Sequence, residues 1–153
     1  MKTNFKELDK KIMVARAMLR LKEYCSAQTC DKCRSSVVSI LGYNMGDNKI
    51  YDCTLRTPDM KQDGTLPCDF DISELDVKAL EDKFDSLYFE EVKRLLFING
   101  YDAISDFVGY DYPYEEEKST IEARIEEAYQ QMPRREFEMF CSIYGFDKKI
   151  LGE

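Results

Sequence analysis

The cysteines are the residues of this 153-residue chain whose spacing could do chemistry. Three fall close together, Cys25-x4-Cys30-x2-Cys33, and Cys53 follows after 19 further residues. Four thiolates complete a tetrahedral shell around zinc, and a tight Cys-x2-Cys turn presents two of them to one ion. The predicted metal set is therefore Cys25, Cys30, Cys33 and Cys53, with Cys68 beside Pro67 as the substitute for Cys53; metal-free thiols are the competing state. Cys141, on an aromatic stretch with Phe137 and Phe140, reads instead as a small core hydrophobe. The chain has no histidine. That removes Ser–His and Cys–His nucleophilic pairs, and it limits any metal site to thiolates and carboxylates. None of the seven glycines builds a GxGxxG or phosphate loop, and no carboxylate pair is singled out by spacing. With no nucleophile–base pair in view, the expectation is a protein that is not an enzyme.

Two resemblances rest on these cysteines. The triplet spacing is similar to that of plant-type two-iron ferredoxins, which place a fourth cysteine further along. It implies an iron–sulfur electron carrier as an alternative to zinc, although a helix rather than a strand leads into Cys25. Asp31 and Lys32 also stand where the ferredoxin loop carries small residues. The segment CSAQTCDKC with Cys53, beside helices in a short acidic chain, also resembles small accessory proteins of Gram-positive phages and mobile elements. Many of those carry proline after the third cysteine, where this chain has Arg34. That likeness implies binding or inhibition of a host protein, of anti-defence or anti-CRISPR type, with no chemistry of its own.

Charge supplies a second candidate surface. Residues 1–75 carry 12 Lys and Arg against 11 Asp and Glu, a net of +1, whereas residues 76–153 carry 10 against 19, a net of −9. Such asymmetry points to an interaction face. The predicted partner-binding residues are Tyr110, Tyr112 and Tyr114 with Glu115, Glu116, Glu117, Glu122, Glu126 and Glu127. Carboxylates in that number offer a basic nucleic-acid channel a phosphate-like surface, and the tyrosines add rigid contact area. The expected partner is a host protein that itself binds nucleic acid, with no direct nucleic-acid binding and no membrane. The competing account is a zinc-knuckle regulator that binds nucleic acid through a basic first helix together with Lys32 and Arg34.

Helices must position these residues. Asn4 with Glu7 forms a start signal, after which Phe5, Leu8, Ile12, Ala15 and Leu19 make an apolar stripe that Val14, Met18 and Leu21 widen. Lys6, Lys10, Lys11, Arg16, Arg20 and Lys22 form the opposite face. Ser35 and Ser36 are placed to cap a short helix over Val37–Leu41, Lys49–Leu55 reads as extended, and Arg56–Asp71 reads as loop. Ser73 with Asp76 opens a long apolar stripe over Leu75, Leu80, Phe84, Leu87, Val92, Leu95, Leu96 and Ile98, which stops at Asn99-Gly100. A short helix over Ala103–Val108 precedes a connector, Tyr110–Tyr114. Ser119 with Glu122 reads as a capping box for a helix with Ile121, Ile125, Ala128 and Met132 inward, and Pro133 opens a last helix that ends at Gly145.

The expected fold is mainly α: an acidic helical bundle over residues 73–153, with an N-terminal helix and small cysteine knuckle over residues 1–72, together one compact unit. No apolar run approaches the roughly 18 residues of a membrane span, and MKTNFKELDKK carries no apolar export core, so a cytoplasmic protein is expected.

Overall fold

The computed structural model describes residues 3–28, 36–38, 51–53, 67–111 and 115–153. The fold is mainly helical. Among the described residues there are six α-helices: α1 (Phe5–Ser26), α2 (Glu74–Asn99), α3 (Tyr101–Val108), α4 (Lys118–Gln131), α5 (Arg134–Ile143) and α6 (Phe146–Leu151). Two short strands, β1 (Ser36–Val38) and β2 (Tyr51–Cys53), pair antiparallel with Val37 opposite Asp52, and a 3-10 turn covers Pro67–Asp69. The helix expected to begin at Val37 is thus a strand over Val37 and Val38. Successive β-branched residues favour extended backbone, and pairing with Tyr51–Cys53 gives one edge of that strand a hydrogen-bonding partner. The extended segment around Cys53 was expected, and it is β2.

The chain forms two compact units, Met1–Asp9 with Asp82–Glu153, and Lys10–Glu81. In the second of these, Ala15, Phe70, Ile72 and Val77 form a small core, with Met18, Leu19 and Leu80 packed against it. Arg16 on α1 meets Glu81 at 2.5 Å, and the Lys22 ammonium donates to the Ile72 carbonyl at 2.9 Å. Phe70 and Ile72 thus anchor the end of a segment that reads as loop in sequence. Two residues expected to widen the α1 stripe do not: Val14 and Leu21 are exposed, because Ile12 and Ala15 set the buried direction and these positions lie well round the helix from it.

Both long helices start on side-chain caps. The Glu7 amide donates to Asn4 Oδ1 at 3.1 Å, as the sequence predicts. At α2 the Ser73 amide donates to Asp76 Oδ2 at 2.8 Å while the Asp76 amide donates to Ser73 Oγ at 3.3 Å, a reciprocal box in which aspartate replaces the usual glutamate. The carboxyl of Asp76 is held below its ordinary range, first by the Ser73 hydroxyl and then by the Ser73 amide. At the far end, Gly100 adopts φ 89°, which a residue with a Cβ resists, and its amide closes on the Leu96 carbonyl at 3.0 Å. The stripe of α2 differs at its ends from expectation: Leu75 is 77% and Ile98 63% exposed. Each lies two residues from a buried position, Val77 or Leu96, and two residues is about 200° round a helix.

The larger core draws on α1 through Phe5 and on α2 to α6, and Val92, Leu96, Ile125, Cys141 and Phe146 are completely buried in it. Aromatic rings fill much of the volume, with Phe89 stacked on Tyr129 at 3.7 Å and Phe107 edge-on to Phe140 at 5.1 Å. Gly109 caps α3 in the left-handed conformation, its amide donating to the Ser105 carbonyl at 2.8 Å. Gly145, expected as the end of the last helix, does end α5, but its left-handed turn leads straight into α6, which buries Phe146 and Ile150. No helix is long and apolar enough to cross a membrane among the described residues.

Candidate functional site

The predicted thiolate set is only partly within the described residues. Cys25 is half-buried in the last turn of α1, and Cys53 ends β2 opposite Ser36. Cys68, the substitute ligand, is half-buried in the 3-10 turn after Pro67. Cys30 and Cys33 lie outside the described residues, as do Tyr112 and Tyr114. Among the described residues no group of three or more cysteines, aspartates and glutamates is arranged to hold a metal ion.

The acidic surface can be built residue by residue. Helix α4 begins one residue before Ser119, with Glu117 in extended conformation at its N-cap and both the Thr120 and Ile121 amides donating to the Glu117 carbonyl. No side chain caps this helix, so the expected Ser119–Glu122 box does not form. Ser119 already lies inside the first turn, one residue past the helix start. Ile121 and Ile125 turn into the core as expected, which leaves Glu127 with Ala123 and Gln130 on the outward face.

Arg124 organises the start of this region. Its Nη2 donates to Glu116 Oε1 at 2.6 Å, its Nη1 donates to the Tyr110 hydroxyl, and the guanidinium lies 5.5 Å from the Tyr110 ring centre. The Tyr110 oxygen first, and Glu116 with it, hold Arg124 firmly in its charged form against partial desolvation. Glu116 is consequently turned inward, its side chain 14% exposed, whereas Tyr110, Glu115 and Glu117 are exposed. Further along, Lys93 of α2 donates to Glu126 at 2.8 Å and to Glu90 at 2.9 Å. Burial opposes its charge, but the two carboxylates outweigh that and raise its pKa. Glu122 sits 3.8 Å from Lys118, both well solvated, a pair of little energetic weight. Of the predicted carboxylates, then, Glu116 and Glu126 are engaged within the fold, and Glu115, Glu117 and Glu127 are exposed.

Sequence reasoning had no means of finding the cations that engage them. Lys93 and Glu126 are 33 residues apart and Arg124 and Glu116 eight apart, spacings with no local signature. It also missed a cavity of about 440 Å³ between α2, the end of α4, α5 and the start of α6. Phe84, Tyr88, Tyr129 and Phe137 contribute rings to it, with Tyr129 edge-on to Phe137 at 5.0 Å and Tyr88 edge-on to Phe137 at 6.1 Å. Arg134 lines it too, bound to Asp85 at 2.7 Å and Glu138 at 3.1 Å, and Asp147 faces it from α6. Burial alone raises the pKa of Asp147, and burial pushes the Cys141 thiol, also in the lining, up to about 12.

Set against protein-family models, curated proteins and solved structures, the chain matches none of them.

Proposed function

We propose that this protein is a non-catalytic binder, an inhibitor or adaptor of the phage type, that engages a basic nucleic-acid-binding protein of a host through the exposed carboxylates around α4. What supports the reading is a surplus of charge. Lys93, Arg94, Arg124 and Arg134 are each already held by one or two carboxylates at 2.6–3.1 Å. Glu115, Glu117 and Glu127 stay exposed on a segment whose net charge is −9. A surface of that kind repels phosphates and is drawn to basic grooves, by steering that salt screens beyond about 8 Å at physiological ionic strength.

The test is a capture experiment from host lysate with mass spectrometry, comparing the natural chain with a triple reversal, Glu115→Lys, Glu117→Lys and Glu127→Lys. These exposed positions carry little of the fold's stability, so the variant should fold normally. The natural chain should retain a basic nucleic-acid-binding protein that elutes as salt rises, and the triple variant should not. Tight, sequence-selective binding of the isolated chain to DNA or RNA would overturn the reading. It would favour the basic face of α1, of which Arg16 and Lys22 already contact Glu81 and the Ile72 carbonyl.

A further inference from the structure

We infer that the cavity between α2, α4, α5 and α6 is a binding site for a small organic ammonium ion carrying an aromatic body. The proposal is independent of the acidic face around α4, since it concerns different residues and a different class of ligand.

Size and lining set the class. About 440 Å³ falls within the range of small-molecule sites and is far more than a bare ion requires. The rings of Phe84, Tyr88, Tyr129 and Phe137 supply apolar, polarisable surface whose faces attract cations and whose edges stack against another ring. Charge sets the sign of the ligand. Three carboxylates, Asp85, Glu138 and Asp147, line the cavity against one guanidinium. Arg134 is shared between Asp85 and Glu138 and so has little positive field left for an anion. Asp147 has no such cation paired with it among the described residues: burial is the one influence resolved on its carboxyl, and it acts against the ionised form. A cation placed beside it relieves that cost.

The Tyr88 hydroxyl lies buried away from the open space, so Tyr88 offers the cavity its ring and not its oxygen. The aromatic body of the same ligand then lies among the four rings.

The probe is 2-phenylethylammonium, titrated into the full chain at neutral pH and followed by nuclear magnetic resonance. The controls are 2-phenylethanol, the neutral analogue, and 3-phenylpropanoate, the anionic one. The cation should give saturable shifts confined to residues of the cavity and should bind at least tenfold more tightly than either control. Asp147→Asn, which removes a poorly solvated charge and so should not unfold the chain, should weaken it by roughly tenfold, the order expected for one close, partly desolvated ion pair. Equal binding of the anion, or no saturable response to any probe, would overturn the proposal.

Discussion

Raising the pH should destabilise this protein through a single buried thiol, and the size of the effect can be worked out beforehand. Cys141 is completely buried on α5, and the loss of hydration pushes its pKa from 9.0 to about 12, with the nearby Glu138 carboxylate acting in the same direction. A pKa raised by folding means that the folded chain holds its proton when the unfolded chain has released it. The contribution is therefore intact below pH 9 and is lost as pH rises toward 12. At 1.36 kcal/mol per unit, the loss is about 1 kcal/mol at pH 10 and about 3 kcal/mol at pH 11. Tyr144, also raised to about 12, chiefly by its hydrogen bond to Asp106, adds a slope of the same sign above pH 10. The assay removes that complication by difference. Guanidinium unfolding of the natural chain and of Cys141→Ala, each followed by circular dichroism at pH 8, 9, 10 and 11 under reducing conditions, shares every other titrating group. The alanine variant starts from its own offset at pH 8, and the gap should move in its favour by about 3 kcal/mol at pH 11. A gap that stays constant across this range would show that the thiol is not shielded, and the packing described around α5 would be wrong.

Three further outcomes are expected. Leu96→Ala, at a position with no exposure in the larger core, should cost about 2–5 kcal/mol in chemical unfolding, whereas Leu75→Ala on the same helix should change stability by less than about 0.5 kcal/mol. Arg124→Ala should lower the melting temperature, and a double-mutant cycle with Glu116→Gln should return a stabilising coupling, because Glu116 Oε2 is already buried without a partner among the described residues. We also propose that the chain purifies with close to one zinc held by Cys25, Cys30, Cys33 and Cys53. Elemental analysis after chelator-free purification should find zinc, and brown colour with visible absorbance would point to an iron–sulfur cluster instead.

Local signals in the chain determined its helices. Asn4 before Glu7, Ser73 before Asp76 and Asn99 before Gly100 mark ends that the structure keeps, because caps and left-handed glycines act within three or four residues of themselves. The mainly α class and the inward positions Ile121, Ile125, Phe137 and Cys141 were legible for a similar reason: a 3.6-residue period needs no knowledge of what it packs against. Where the stripes end was not legible. Leu75, Ile98, Val14 and Leu21 are as apolar as their buried neighbours, and only the direction of the core decides which side of a helix is covered. Helix α6 escaped notice because six residues hold just one i, i+4 apolar pair, Phe146 and Ile150, which carries no period. The strand at Val37 and Val38 required its partner at Tyr51–Cys53, a pairing across the intervening chain. The same holds for the candidate sites. Composition put the excess of carboxylates in the C-terminal half, but which of them stay exposed depends on Lys93 and Arg124 arriving from elsewhere in the fold. The cavity exists only because four helices bring Phe84, Tyr129, Phe137 and Asp147 to one place, and no spacing along a chain encodes an empty volume between packed surfaces.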